Sequence, residues 1–374
     1  MRHSAPHGES SGSTAQQPDG SYQQRHAARD RFSDPTTGAG PGKVTGTPVE
    51  TGLGSAHGKA ILLGEHAVVY GAPAIVLPLL DLQATASLRR ARRGYITSDL
   101  YTGPLATAPK HMAPILTALR VSAEQLDVRG DRVELILRST IPFERGLGSS
   151  AATSAAVVRA VANLAGTRLS AAQLHSLVQE AEHVAHGTSS GLDAHAVQSM
   201  TPLRFQQGKP TTVKVGDKFT FVIADTGTSG STAAAVDGVK MLRDIQPRVV
   251  DRVVEDLANL TDDAVYSLGI GDPIRVGQSM HEAHSLLAYL GVSSPALDAL
   301  VAAALEAGAY GAKLTGSGLG GCVLAVVPDQ EQAGDVAAAM TAVGATRTWT
   351  TSLIPNDFEL MTVPTARVHK QEDR

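Results

Sequence analysis

Short runs of apolar residues recur along the chain from about residue 58 onward, separated by polar and glycine-rich stretches. Runs of this length, bounded by turn residues, are typical of buried strands. They lie at residues 59–63, 74–77, 133–137, 219–224, 322–327 and 348–354. Helical patterns alternate with them, so the hydrophobic pattern predicts an α+β chain.

Apolar residues spaced three and four positions apart predict helices between these strands. The clearest helix begins at Ser170, where Gln173 completes a capping box, and Gly187 is expected to end it. Its apolar face consists of Leu174, Leu177, Val178, Ala181 and Ala185. Further helices are predicted at residues 236–242, 248–257, 297–307 and 330–342.

The ends of the chain differ in composition from its middle. Residues 1–50 are rich in Ser, Gly, Gln, Pro, Asp and His and have almost no aliphatic side chains. Such a segment cannot bury enough apolar surface to offset its ordering entropy. We therefore predict a disordered tail at 1–50, an N-terminal domain at 51–218, a C-terminal domain at 219–364 and a frayed tail at 365–374.

Composition limits the classes of function. Of 374 residues 43% are hydrophobic, and 32 basic against 36 acidic residues give a net charge of −4. No basic field favours nucleic acid, and no apolar run approaches the roughly 18 residues of a membrane span. The single cysteine, Cys322, excludes an intrachain disulfide and suits a reducing compartment. We expect a cytoplasmic soluble enzyme, and a homodimer is compatible with these numbers.

A glycine-rich turn, Gly146-Leu-Gly-Ser-Ser-Ala151, joins a predicted strand to an alanine-rich helix. Glycines let a ligand approach the backbone, and the unpaired amides of a helix start favour phosphate. Either Ser149 or Ser150 is expected to cap this helix. The segment also fits the dinucleotide pattern G-x-G-x-x-A, but no acidic residue follows about 20 positions later to hold a ribose. A plain tight turn remains open as well.

Three charged residues are candidates for chemistry, each with an ordinary alternative. Glu182 borders the apolar face near a helix C-terminus, where a carboxylate is unfavourable, so it has either a cation partner or a solvated position. Asp193 either complements a helix dipole or faces a hydroxyl nucleophile. A lysine at a strand edge is usually solvated, but Lys59 leads a buried strand that runs into an acid and an imidazole, Glu65 and His66.

Five segments in order resemble the GHMP small-molecule kinases, and most closely the branch that acts on mevalonate. They are residues 58–71, 142–152, 182–193, 225–232 and 313–322. The resemblance implies a ribosomal-S5-like N-terminal domain, a ferredoxin-like C-terminal domain, and ATP and Mg²⁺ as cofactors. It also implies phosphoryl transfer to the C5 hydroxyl of mevalonate, giving 5-phosphomevalonate and ADP for isoprenoid synthesis. Another GHMP kinase, acting on phosphomevalonate or galactose, and a non-catalytic GHMP-fold ligand sensor remain alternatives.

The same resemblance assigns roles to single residues. Asp193 is implied to be the catalytic carboxylate, with Lys59 beside it, and Ser150 and Glu182 are implied to ligate Mg²⁺. The implied nucleotide-binding residues are Gly146, Leu147, Gly148, Ser149, Ser150 and Ala151. The implied acceptor-side residues are Glu65, His66 and Thr232.

The chain departs from the family pattern at three positions. His57 stands where the family usually has proline, and Glu144 and Leu319 stand where it usually has glycine. None of the three belongs to the implied catalytic pair.

Overall fold

A computed structural model describes residues 50–186 and 190–356. The predicted tails, apart from residue 50 itself, therefore lie outside the described residues, as does the helix end predicted at Gly187. Within the described part, no helix is long and apolar enough to cross a membrane.

The strands before residue 213 form one sheet, and seven of them lie in the described part of the chain. They are β1 (Thr51–Leu63), β2 (Ala74–Arg90), β3 (Tyr95–Thr97), β4 (Thr102–Pro104), β5 (Val133–Ser139), β6 (Leu203–Gln206) and β7 (Lys209–Thr212). Their order is β4-β3-β5-β2-β6-β7, with β1 also paired to β2. Strands β3 and β5 are parallel, and the other pairs are antiparallel.

Four helices accompany this sheet: α1 (Ala113–Gln125), α2 (Ser149–Leu164), α3 (Ala171–His186) and α4 (Leu192–Ala196). Helix α2 consists mostly of alanine and valine, and nearly all of its residues are buried. It lies very close to β1, because a Cβ atom on Gly54 would be 2.1 Å from the carbonyl oxygen of Ala156. The small residues therefore set the distance between α2 and β1, the two elements that carry the site described below.

The strands after residue 218 form a second, fully antiparallel sheet. They are β8 (Phe219–Asp225), β9 (Gly311–Thr315), β10 (Cys322–Val327) and β11 (Arg347–Leu353), in the order β11-β8-β10-β9. The helices of this half are α5 (Thr232–Ile245), α6 (Pro247–Ile270), α7 (Pro273–Tyr289), α8 (Pro295–Glu306) and α9 (Gln330–Ala342). All residues of β8, β9 and β10 are buried, including the polar side chains of Thr220, Asp225, Lys313 and Thr315.

The mixed α/β architecture and the predicted strand positions are confirmed, whereas some lengths are not. The capping box of α3 forms as predicted: the Ser170 amide donates to Gln173 Oε1 at 2.9 Å, and the Gln173 amide donates to Ser170 Oγ at 3.2 Å. Strands β1 and β2 are longer than predicted, since β1 begins at Thr51 and β2 extends to Arg90. Their outer stretches alternate buried and exposed positions, so a search for continuous apolar runs misses them.

Candidate active site

The glycine-rich turn lies between β5 and α2, at the start of the buried alanine-rich helix. Gly146 and Gly148 have φ angles of 78° and 74°, a left-handed region that favours glycine. A Cβ atom on Gly148 would also lie 2.8 Å from Lys59 Cγ. The turn therefore needs glycine both for its backbone conformation and for its contact with β1.

The expectation that Ser149 or Ser150 caps α2 is wrong. Gly148 is the N-cap residue, and within the described part of the chain α2 has no side-chain cap hydrogen bond. The Ser150 hydroxyl donates instead to Glu182 Oε1 at 2.7 Å, while Ser149 is buried. A helix start without a side-chain cap has the free amides that an anion site requires.

Two other residues of the turn are held by the core. Leu147 and Ala151 are fully buried, and the Leu147 carbonyl accepts a hydrogen bond from the Lys59 amide at 3.0 Å. This backbone bond joins the turn to β1, so Lys59 and the helix start are fixed relative to one another.

Lys59 and Asp193 form an ion pair, with 3.1 Å between Lys59 Nζ and Asp193 Oδ1. Lys59 is buried within β1, whereas the Asp193 side chain is 31% exposed. Asp193 lies in the first turn of α4, after Gly191 in a left-handed conformation. The structure thus brings together two residues that are 134 positions apart in the sequence (193 − 59) and that the resemblance paired.

Glu182 lies within α3 and is only 1% exposed, which excludes the solvated alternative. Burial raises the pKa of its carboxyl to about 7, and the nearby charge of Asp193 adds to this shift. The Ser150 hydroxyl and Lys59 act in the opposite direction. A buried acid with a raised pKa beside a second carboxylate is an arrangement typical of functional sites.

The acid and imidazole at the end of β1 are buried, and both contact the segment around β9. Glu65 Oε1 accepts a hydrogen bond from Lys313 Nζ in a pair whose side chains are 1% and 0% exposed. Glu65 Oε2 has no hydrogen-bond partner among the described residues. His66 Nε2 is 2.9 Å from the Ser317 carbonyl, and burial lowers the pKa of this imidazole.

Thr232 lies at the first position of α5 and is exposed. Its hydroxyl donates to Ser317 Oγ at 3.2 Å, so the serine that accepts from Thr232 also contacts His66 through its carbonyl. Two of the implied acceptor-side residues, His66 and Thr232, therefore meet at one residue of the glycine-rich turn after β9.

Sequence reasoning missed three residues that this geometry joins to the site: Lys313, Ser317 and Asp225, the last through its ion pair with Arg145. The sequence does mark Lys313 as unusual, because a lysine inside a buried strand requires an acidic partner. The partner itself was not visible, since Glu65 lies 248 positions away.

Taken together, a helix start without a side-chain cap, a lysine–aspartate pair and a buried acid form one cluster. Lys59 contacts Asp193 directly, and its charge opposes the rise that burial causes in the pKa of Glu182 and of Glu65. Such a cluster can hold phosphate at the amides of α2 and present a carboxylate to a hydroxyl group nearby.

Comparisons with known proteins agree with this chemistry. Two family models match the chain, described as "GHMP kinases N terminal domain" over residues 114–200 and "GHMP kinases C terminal" over residues 243–346. A mevalonate kinase from Thermococcus gammatolerans is 31% identical over 317 residues, which is 79% of this chain and 94% of that protein. A mevalonate kinase from Pyrococcus horikoshii is 33% identical over 315 residues, 78% of this chain and 92% of that protein.

Solved structures give the same result. The crystal structure of L. major mevalonate kinase in complex with R-mevalonate has a TM-score of 0.74 and 26% identity, covering 83% of this chain and 98% of that one. Mevalonate kinase from Staphylococcus aureus has a TM-score of 0.63 and 27% identity, covering 81% and 99%.

Proposed function

This chain belongs to the GHMP kinase family, and we propose that it transfers the γ-phosphoryl group of ATP to the C5 hydroxyl of mevalonate. The products are 5-phosphomevalonate and ADP. The observation that carries this proposal is the Lys59–Asp193 ion pair beside the uncapped amides of α2. The sequence relatives named mevalonate kinase match over nearly their whole length, which favours this acceptor.

The N-terminal end of α2 serves as the phosphate site. Its first amides have no side-chain cap, and the helix carries partial positive charge at this end. Gly146, Leu147, Gly148, Ser149, Ser150 and Ala151 present these amides. The close contacts of Gly148 with Lys59 keep the loop in one position, and positioning is the main task of the protein in phosphoryl transfer.

Asp193 and Lys59 act on the acceptor hydroxyl. Asp193 orients this hydroxyl and accepts its proton at a carboxylate oxygen. Lys59 Nζ, 3.1 Å from that carboxylate, offsets negative charge that develops on the attacking oxygen. Glu65, His66 and Thr232 lie on the acceptor side, where Ser317 contacts both His66 and Thr232.

Mg²⁺ fits the donor set of Ser150 and Glu182. A hydroxyl and a carboxylate are the hard oxygen ligands that this ion takes, and it is usually held by one or two carboxylates together with substrate phosphates. The Ser150–Glu182 hydrogen bond already places the two oxygens 2.7 Å apart. When bound, the ion would neutralise phosphate charge.

We also propose the finer description of the fold. When the helices between β8 and β9 are counted as one helical segment, the elements after residue 218 follow the order β–α–β–β–α–β. This order supports a ferredoxin-like C-terminal domain. A ribosomal-S5-like N-terminal domain and a boundary at 218/219 are proposed with it, since no described strand is shared between the two sheets. Cytoplasmic location and a homodimer remain proposals from composition.

An acceptor screen tests the function. Purified protein with Mg-ATP is supplied with mevalonate, phosphomevalonate, galactose or homoserine, and ADP release is measured. We expect release with mevalonate, and a phosphorus NMR signal of a phosphomonoester confirms the product. Faster release with another acceptor would assign the chain to a different GHMP activity, and no release with any acceptor would favour the ligand-sensor alternative.

A further inference from the structure

Arg145 immediately precedes the glycine-rich turn, yet its side chain is bonded to the second half of the molecule, at the end of β8 and in the turn that follows. Its Nε is 2.9 Å from Asp225 Oδ1 and 3.2 Å from Asp225 Oδ2. Its Nη2 donates to the carbonyl of Gly227 at 3.0 Å. The two side chains are 19% and 8% exposed, so this ion pair is largely shielded from solvent.

The backbone around Arg145 packs on the same half of the molecule. A Cβ atom on Gly321 would lie 3.0 Å from the Arg145 carbonyl oxygen. A Cβ atom on Gly146 would lie 3.0 Å from the Thr315 carbonyl oxygen. The turn therefore rests on the residues that flank β9 and β10, and the guanidinium of Arg145 fixes it there.

The residue before Arg145 has an unfavourable backbone conformation. Glu144 has a φ angle of 55°, in the left-handed region that is unfavourable for residues other than glycine. A strained backbone of this kind persists only where the surrounding structure holds it. Glu144 itself is exposed, whereas the next residue, Arg145, makes bonds to both Asp225 and Gly227.

The Asp225 carboxylate bonds to Arg145 and to the Gly227 amide at the same time. Its Oδ1 accepts a hydrogen bond from the Gly227 amide at 2.8 Å while it pairs with Arg145. Asp225 ends β8, and the chain continues from this turn into α5, which begins at Thr232. One carboxylate thus joins the glycine-rich turn of the first half to the acceptor-side turn of the second half.

We infer that Arg145 and Asp225 are positioning residues of the nucleotide site. This inference rests on the proposed function, because it takes the amides of α2 as the ATP phosphate site. The pair fixes the turn that carries Gly146 and Gly148, and it does so without contact with ATP. Each of the three guanidinium nitrogens already donates within the protein: Nε to Asp225, Nη2 to the Gly227 carbonyl and Nη1 to the Glu144 carbonyl at 3.4 Å. These bonds favour a positioning role for Arg145 over phosphate binding.

Four variants test this: Arg145→Met, Arg145→Lys, Asp225→Asn, and the double variant Arg145→Met with Asp225→Asn. The double variant removes both charges together, so it avoids a buried aspartate without a partner. Arg204→Met is the matched control, because Arg204 pairs with Asp262 at 2.9 Å in an Arg–Asp pair outside the turn. The measurements are the Kd of a fluorescent ADP analogue, the KM values for ATP and mevalonate, and Tm.

We expect Arg145→Met and Asp225→Asn each to weaken analogue binding and raise the KM for ATP by about tenfold to a hundredfold, the cost of a misplaced site. The double variant should lose no more than the worse single variant, since the two residues act as one unit. Arg145→Lys should have an intermediate effect on nucleotide binding, because lysine keeps the positive charge but lacks the planar guanidinium with its several fixed donors. In Arg145→Met, which leaves the bond between Asp225 and the Gly227 amide in place, the KM for mevalonate should stay within about twofold, and Arg204→Met should bind nucleotide normally.

Three results would overturn the inference. Normal nucleotide binding with a lowered Tm would make the pair merely structural. Tighter binding in Asp225→Asn would show that Arg145, once released, contacts the phosphates directly. Losses that multiply in the double variant would show that the residues act separately. If wild-type protein binds the analogue but does not phosphorylate mevalonate, the proposed function fails while the binding comparison still tests the positioning role.

Discussion

Lys59 and Asp193 hold opposite charges 3.1 Å apart, and Glu182 lies close enough to Asp193 for that charge to raise its pKa. At the scale of single residues, the site therefore concentrates two carboxylates around one lysine. Such a cluster disfavours ionisation of the more buried acid, Glu182, until a further cation arrives. The protein accepts a less stable residue where its chemistry needs one.

Glu182→Gln, studied in metal-free buffer, tests how much the buried carboxylate of Glu182 lowers the free energy of unfolding. The folded-state pKa of Glu182, about 7, lies above the reference value of 4.5. The stability that the protonated carboxyl contributes to wild type is therefore fully present below pH 4.5, and it is lost as pH rises toward 7. At pH 8 we expect the variant to be more stable than wild type by up to about 3 kcal/mol, and most of this gain to vanish at pH 5. Urea unfolding at both pH values measures it.

The matched control is Glu180→Gln, since Glu180 is an exposed acid two positions away on α3. It should show no pH-dependent gain. An equal stability change for Glu182→Gln at pH 5 and pH 8 would contradict the raised pKa. With Mg-ATP and mevalonate present, Glu182→Gln should also need more magnesium for the same rate, whereas Glu180→Gln should not.

At the scale of elements, α4 is only five residues long and depends on its neighbours for its position. His195 of α4 stacks on His175 of α3, with ring centroids 3.8 Å apart. Burial lowers the pKa of His195 to about 4, and the charge of His175 contributes. The stacked rings therefore hold α4, which carries Asp193, and both rings are neutral in this arrangement.

This stack predicts a loss of stability in acid. Because the folded-state pKa of His195 lies below the reference value of 6.5, the unfolded chain binds the proton first. Stability is then present above pH 6.5 and lost as pH falls toward 4. We expect Tm to fall less between pH 7.5 and pH 5 in His195→Gln than in wild type. His183→Gln, on the exposed side of α3, is the control and should show the same change of Tm with pH as wild type. If His195→Gln also shows the wild-type change of Tm with pH, the histidine stack is not the cause of the acid instability.

Two glycines in different surroundings predict opposite effects of replacement by alanine. A Cβ atom on Gly54 would lie 2.1 Å from the Ala156 carbonyl, so Gly54→Ala should destabilise the protein by about 1–3 kcal/mol. Gly238 lies inside α5, and a Cβ atom there would have no neighbour within 4 Å, so Gly238→Ala should stabilise by about 0.5–1 kcal/mol. Chemical denaturation measures both, and a neutral Gly54→Ala would show that α2 can move away.

At the scale of the whole molecule, buried polar bonds join the end of β1 to β9. Lys313 pairs with Glu65, and the Thr315 hydroxyl both accepts from the Ile61 amide at 2.9 Å and donates to the Ile61 carbonyl at 3.0 Å. These bonds connect the first sheet to the second near Lys59, whose charge acts on Glu65. They require both sheets to be folded before the site is complete.

Lys313→Met measures this connection. It leaves the buried Glu65 without its cation, so we expect a loss of about 3–5 kcal/mol in the free energy of unfolding. Adding Glu65→Gln should recover most of that loss, because the buried charge is then gone. Urea unfolding of wild type, the single variant and the double variant provides the comparison. A double variant less stable than the single one would show that the pair is not the cause.

The sequence predicts local features well and long-range pairs poorly. Residues 322–327 and 330–342 are predicted to the residue, because an unbroken apolar run marks the strand and a clear helical repeat marks the helix. The serine cap predicted for α2 is wrong because a tertiary partner, Glu182, takes the Ser150 hydroxyl. The Arg145–Asp225 pair joins residues 80 positions apart, and no periodicity in the chain carries that information.

The central claim is that Asp193 acts on the acceptor hydroxyl, and the turnover of Asp193→Asn with Mg-ATP and mevalonate tests it most directly. The substitution keeps the size of the side chain and removes the charge beside Lys59. We predict a fall in kcat on the order of 10² or more, the range of a general-base contribution, with ATP affinity little changed. A helix-dipole acid would cost only about 0.3–1 kcal/mol of stability and leave turnover alone. A folded Asp193→Asn protein with near-normal kcat would contradict the account.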